Sequence, residues 1–403
     1  MIVVPSKMGR INKRALLTRL QQMGVASRAD LAKSLGLSQP TSGKIVDQLL
    51  RIGVLEEIDP PARPAEAEAE APPKLGRPGR RLQLAQTVPR FVGIQLGVLE
   101  TRLALLPLGL NGEDAWTLRL PTPESADGWL QQLRKAALRL RCEPLWGVLV
   151  SVPGIVDEQT DRVIFSPNLH WTEQADLSAL IGRAWSAPVV LVQEERALAL
   201  GHQARHPGGE DFLLVDVGEG VGGAVVVDGK LYLHPLPMSG ELGHTPVPGN
   251  LRPCGCGAVG CVETLISTRG LLQSFAAATG RPQPAWPALK AHVAEHGVPV
   301  WLAEDLEAAA GVIAGALNVI GLRRVVLTGS LNELSPAVLE HLCAAIRRGA
   351  LWARFGEVKV EAAPRRRTAG LVAVGLDRLV VPMAEAERSQ ETGPHGAAQP
   401  ARP

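Results

Sequence analysis

The chain has 403 residues, 46% of them apolar and 20% charged, so it is too long for one ordinary core and long enough for two or three. No run of 18 or more uncharged apolar residues occurs, and the first 14 residues hold no apolar stretch before a small-residue cleavage site. This argues against a membrane span or a secretory signal and predicts a cytoplasmic protein. The net charge of +2 conceals an asymmetry: residues 1–85 carry 14 Lys+Arg against 8 Asp+Glu, a net of +6, which leaves about −4 for the remainder. A basic module suited to a polyanion is therefore joined to a mildly acidic body.

In chain order, the first segment reads as three short helices. Arg10 to Met23 places Ala15, Leu16, Leu20 and Met23 on one face and ends at Gly24. Ser27 to Asp30 forms a capping box that opens a second helix, stopped by Gly36, and Ser38 caps a third helix that runs to Arg51 with Pro40 in its first turn. Ile45, Val46, Leu49 and Leu50 form an inward stripe, which leaves Thr41, Ser42, Lys44 and Gln48 on other faces. Helix, tight turn, helix is the arrangement that lays a second helix in the major groove of DNA.

Val54 to Ile58 and Arg81 to Leu84 alternate as two strands of a β-wing. The wing tip, residues 59–80, begins as a Pro/Ala/Glu-rich stretch with the composition of a disordered segment and ends in the basic run Gly76 to Arg81. Double-stranded DNA is the predicted partner of this module, 1–85. The candidate contacts are Gln39, Thr41, Ser42 and Lys44 at the start of the third helix, with Arg77 and Arg80 on the wing.

From Pro89 the pattern becomes alternating strand and helix. Strands are predicted at Phe91 to Leu96, Leu103 to Leu108, Leu145 to Val152, Val189 to Val192, Phe212 to Val217, Gly223 to Val227 and Arg324 to Leu327. The helices are Ala126 to Leu140, Asp305 to Ile320 and Ala337 to Arg348. This is an α/β domain over 89–383, followed by a polar, Gly/Pro-rich tail, 384–403, expected to be disordered.

Three of the five cysteines fall in one short stretch. His244, Cys254, Cys256 and Cys261 supply one imidazole and three thiolates, a closed tetrahedral shell that predicts a structural Zn2+. Cys142 and Cys343 stand alone and read as buried apolar thiols.

This cysteine spacing, the Gly240 to Thr245 segment, Pro153-Gly154-Ile155-Val156-Asp157, Ser166 to Trp171 and Asp228 to Tyr232 together resemble the ROK family of repressors, open reading frames and kinases, from about Pro89 to Pro382. The N-terminal module resembles the winged helix that precedes this domain in ROK repressors, so the likeness covers nearly the whole chain. It implies an α/β chain with an N-terminal winged helix-turn-helix followed by a two-lobed, actin-like (ribonuclease-H-like) ROK sugar-kinase fold, a sugar or sugar derivative in the cleft, and a homodimer or higher homo-oligomer with no membrane partner.

By the same likeness Glu241, His244 and Glu263 contact sugar hydroxyls, Asn168 and Gln193 join them, and Glu194 stands at the position of the kinase base. The phosphate loops depart from the family's kinases. Gln95 replaces the metal-nucleotide acid, and Glu219 sits in the second loop where phosphate oxygens belong. At roughly 4 Å and an effective dielectric of about 20, that repulsion is about 4 kcal/mol per charge pair. The expectation is a sugar-responsive repressor without catalytic activity. The competing readings are an ATP-dependent sugar kinase with an attached DNA-binding module and a regulator controlled by a protein partner.

Overall fold

The structure is a computed structural model that describes residues 5–59, 80–110, 112–206, 210–233 and 239–384. Arg77, nearly all of the predicted wing tip and the tail beyond residue 384 lie outside the described residues.

The N-terminal module consists of α1 (Pro5–Met23), β1 (Val25–Ser27), α2 (Arg28–Leu35), α3 (Gln39–Arg51), β2 (Leu55–Ile58) and β3 (Arg81–Leu84). Pro5 lets α1 begin a turn earlier than Arg10, since a helix's first residue needs no amide donor. The predicted capping box is present. Ser27 Oγ accepts from the Asp30 amide at 3.1 Å, and the Asp30 carboxylate accepts from the Ser27 amide at 3.1 Å. These bonds hold the Asp30 carboxyl below the usual range. The three strands pair in the order β1-β3-β2. β1 has no counterpart in the sequence reading because three residues are too few to show alternation.

The body contains two sheets of matching topology. The first carries β4 (Pro89–Leu96), β5 (Glu100–Pro107), β6 (Leu118–Pro121), α4 (Ala126–Arg139), β7 (Gly147–Val152), a hairpin of β8 (Ile155–Asp157) and β9 (Arg162–Phe165), α5 (Trp171–Gln174), α6 (Leu177–Gly182) and β10 (Val189–Gln193). Then α7 (Glu194–Arg205) leads to the second, with β11 (Phe212–Val217), β12 (Val221–Val227), β13 (Lys230–Leu231), α8 (Glu263–Ile266), α9 (Thr268–Thr279), α10 (Trp286–His296) and α11 (Val300–Ile320). It closes with β14 (Arg324–Gly329), α12 (Pro336–Gly349), β15 (Lys359–Ala362) and α13 (Arg367–Gly375).

The strand orders are β10-β7-β4-β5-β6 and β13-β12-β11-β14-β15. In each sheet an antiparallel meander of three strands is extended by two parallel ones. One topology used twice gives two lobes, the arrangement that the family resemblance implies.

α7 packs against strands of both sheets and lies alongside α13. The two helices approach closely because glycines face each other's backbone: a Cβ on Gly201 would lie 1.9 Å from Arg366 O, and one on Gly370 would lie 1.7 Å from Ala197 O. The N-terminal module is docked on this helix pair. Leu16, Leu17 and Leu20 of α1 belong to the same buried cluster as Phe91, Ala197, Leu371 and Val380. Lys13 Nζ donates to Ala384 O at 3.2 Å, Gln21 Nε2 donates to Ala369 O at 3.3 Å, and Arg14 pairs with Asp377.

Near the far end of α7, His202 is 2% exposed, and neither ring nitrogen has a hydrogen-bond partner. Burial, aided by the neighbouring His206, lowers its pKa to about 4. Because the folded value lies below the unfolded one of about 6.5, stability is complete above that pH. It falls as the pH drops toward about 4, by up to about 3 kcal/mol from this group. Urea titrations across this window should show the slope, and His202→Gln should flatten it. An unchanged slope would reject the assignment.

Candidate ligand cleft and metal centre

Between the lobes lies a cavity of about 520 Å³. All six residues nominated for ligand binding, Asn168, Gln193, Glu194, Glu241, His244 and Glu263, line it. They arrive on different elements: Gln193 ends β10, Glu194 opens α7, Glu263 opens α8, and Glu241 and His244 flank a 3-10 turn after β13. Gln193 Nε2 donates to Glu241 Oε1 at 2.9 Å, and Glu263 Oε2 accepts from the Val221 amide at 2.9 Å. Both carboxylates are therefore oriented before any ligand arrives.

Glu194, at the kinase base position, is not a free carboxylate. Arg367, 0% exposed, lies between it and Asp114, pairing with Glu194 and donating to Asp114 Oδ2 at 2.9 Å. Gln95 Nε2 adds a donor to Glu194 Oε1 at 3.2 Å. Glu194 is therefore held by partners on two other elements, Arg367 of α13 and Gln95 of β4.

The phosphate region is occupied in a comparable way. Arg365 donates from Nε and Nη2 to the two oxygens of Asp216, each at 2.8 Å, and from Nη2 to Val217 O at 3.1 Å. Its guanidinium lies against Gly218, in the second of the expected phosphate loops, and against Gly329 at the end of β14: a Cβ on Gly218 would sit 2.6 Å from Nη2, and one on Gly329 would sit 2.7 Å from it. Burial alone would raise the Asp216 pKa, but Arg365 outweighs it and holds the carboxyl below its usual range.

Glu219 also lines the cleft, where burial raises its pKa against the opposing pull of Arg269 and Arg365. Motif reading missed Arg365, Arg367, Asp114 and Asp216. The available signal was the run Arg365-Arg366-Arg367 at the junction of β15 and α13.

The four predicted metal ligands do converge, with one donor atom from each of His244, Cys254, Cys256 and Cys261 lying within 4.8 Å of the others. Cys256 Sγ is 3.7 Å from Cys261 Sγ, and Cys254 Sγ is 3.6 Å from His244 Nδ1. Gly257 at φ 88° and Gly260 at φ 87° turn the loop between the cysteines in the left-handed region. The set can hold a metal ion. His244 Nδ1 faces the thiols while Nε2 lies 3.8 Å from Glu241 Oε2 on the cleft side, so the imidazole links the two sites. Cys142 and Cys343 are half-buried rather than sealed in a core, and burial raises both thiols.

On the N-terminal module, Gln39, Thr41 and Lys44 are exposed at the start of α3. Ser42 is not: it is 0% exposed, one turn before Ile45 and Val46 on the inward face, so it must be removed from the predicted DNA contacts. Gln48, also expected on an outer face, is 7% exposed and donates to Ala384 O. Arg80 is exposed and pairs with Glu57, whose carboxyl it holds below the usual range.

Comparison with known proteins agrees with this architecture. The model of the ROK family matches residues 91–376. The xylose repressor of Caldicellulosiruptor bescii is 24% identical over 382 residues, spanning 87% of this chain and 91% of that one. The crystal structure of a ROK family transcriptional regulator, a homologue of the E. coli MLC protein, superposes with a TM-score of 0.71 at 22% identity, covering 94% of this chain and 99% of that one. A ROK family glucokinase from Streptomyces griseus, in complex with glucose and AMPPNP, gives a TM-score of 0.57 at 23% identity over 70% of this chain and 97% of its own. The two-lobed body with its Cys/His cluster, and a family match that takes in more than two thirds of the chain, make this protein a member of the ROK family.

Proposed function

We propose that this ROK protein is a sugar-responsive transcriptional repressor, with residues 1–85 as a winged-helix DNA-binding domain and residues 89–383 as a sugar-sensing domain without kinase activity. It acts in the cytoplasm as a homodimer on double-stranded operator DNA. Gln39, Thr41 and Lys44 on the exposed start of α3, with Arg77 and Arg80 on the wing, meet the duplex. Asn168, Gln193, Glu241, His244 and Glu263 receive the sugar, and Glu194 shapes the pocket floor from within its ion pairs. The named relative is a sugar repressor along almost its full length, which supports this reading over a kinase.

The observation that carries the non-catalytic assignment is the pair of arginine clamps. Arg367 pairs with the residue expected at the base position, and Arg365 lies against Gly218 of the second expected phosphate loop and against Gly329. The metal is zinc. Bonds of about 2.3 Å to sulfur and about 2.0 Å to nitrogen in a tetrahedron place sulfurs about 3.8 Å apart and sulfur from nitrogen about 3.5 Å apart. The 3.7 and 3.6 Å separations match that geometry. With four protein ligands the ion has no open position, so its role is to fix His244 and the loop before Glu263.

The route from ligand to DNA is α7, which begins at Glu194 in the cleft and packs against α1 of the N-terminal module. A sugar that favours one lobe arrangement shifts this helix and the module seated on it.

A thermal-shift panel on metal-loaded protein tests the reading. A ligand at a hundred times its Kd stabilises by about 2.7 kcal/mol. Stabilisation by a sugar but not by Mg-ATP is expected. Stabilisation by Mg-ATP would restore the kinase, and silence toward every sugar would point to a protein partner.

A further inference from the structure

The floor of the cleft, where β4, β10 and the first turn of α7 meet, offers acceptors that no protein donor satisfies. Gln193 is 2% exposed, and its Oε1 is buried without a hydrogen-bond partner; Gln95, 9% exposed, leaves its Oε1 in the same state. Their orientations are fixed by chemistry, since each amide nitrogen faces a carboxylate that can only accept, Glu241 for Gln193 and Glu194 for Gln95. What each side chain leaves unpaired is its carbonyl oxygen.

Glu195, the second residue of α7, adds a carboxyl group to the same cavity. It is only half-buried, and it sits where a side chain on Gly222 would otherwise be, 2.5 Å from the position of a Cβ there. Among the described residues it makes no ion pair and no hydrogen bond to another side chain, in contrast to its neighbours. Arg367 is committed to Glu194 and Asp114, and Arg365 to Asp216.

We propose that Glu195 sets the ligand selectivity of the cleft and that the ligand is a protonated amino sugar, whose ammonium group is received by Glu195 and the carbonyl oxygens of Gln95 and Gln193. This rests on the sugar-sensing reading above and narrows it to a class. An ammonium group carries three donors and a charge, matching a floor of acceptors with one unpaired acid, whereas a hydroxyl brings one donor and no charge. N-acetylation removes both the charge and two of those donors.

Glu195 also carries a consequence for protons. Burial, together with the carboxylates of Glu194, Glu241 and Asp216 that face it, pushes its pKa well above the usual carboxylate range; Gly222, opposite, contributes no charge. A bound cation opposes this balance and favours the ionised carboxylate.

The test is calorimetric titration of full-length, metal-loaded protein at about pH 7 with glucosamine, galactosamine and mannosamine, each beside its neutral parent and its N-acetyl derivative. At least one amino sugar is expected to bind about tenfold or more tightly than both of its counterparts, charge-assisted hydrogen bonds being roughly twice as strong as neutral ones. Glu195→Gln should bring the preference close to one, and Glu195→Asp should keep the preference.

Neutral sugars binding as tightly as amino sugars, or a preference that survives Glu195→Gln, would overturn this inference alone. Silence toward every sugar would overturn the sugar-sensing reading with it.

Discussion

Replacing Arg367 by methionine is expected to lower the unfolding free energy by about 3–5 kcal/mol, the cost of removing one partner from a buried ion pair. Arg367 is fully buried and serves two carboxylates from different parts of the chain, Asp114 and Glu194, so its loss strands both. Lysine should not restore the stability, because a single ammonium cannot reproduce the planar fork that reaches both acids. Urea denaturation of the three proteins measures this. A loss under about 1 kcal/mol would mean that the pair is screened, and the reading of Arg367 as a clamp on Glu194 would fail with it.

The second large effect is expected at the metal. Cys261→Ser should reduce bound zinc from one ion per chain to a small fraction, read by elemental analysis, and should abolish sugar binding. Structural zinc sites contribute on the order of 10 kcal/mol in small peptides, and under the zinc reading proposed above that energy would hold the segment between His244 and Glu263. Cys261 is 1% exposed, and in the metal-free site burial, with Cys254 and Cys256 beside it, pushes its thiol up to about 12. Only a bound cation makes it a thiolate at neutral pH. DNA binding by the separate winged helix should survive the substitution. Wild-type protein purified without metal and binding sugar normally would contradict the assignment.

The parts that the sequence disclosed are those carried by local chemistry. The caps at Ser27 and Ser38 delimit α2 and α3 because a capping hydroxyl acts within three residues. The metal ligands were visible because three of the four lie within eight residues of one another. Ser42 was misread for a related reason: small and polar, it reads as surface, whereas its position a turn before Ile45 and Val46 puts it inside. Sequence order hides pairings between distant residues. Arg365 and Asp216 are 149 positions apart, Arg367 and Asp114 are 253, and only the meeting of two lobes on α7 and α13 joins them. Glu195 was hidden differently, since a second glutamate at a helix start looks like an ordinary favourable interaction with the helix dipole until the cavity beside it is seen.

The repressor account is tested most directly by fluorescence-anisotropy titration of full-length protein against a duplex selected from a random pool and against its scrambled counterpart, with and without the stabilising sugar. The selected duplex should bind about a thousandfold or more tightly than the scrambled one, with an affinity that falls steeply as salt rises. Saturating sugar should weaken it by about tenfold or more. Equal affinity for the two duplexes, or specific binding that no cleft ligand alters, would contradict the account.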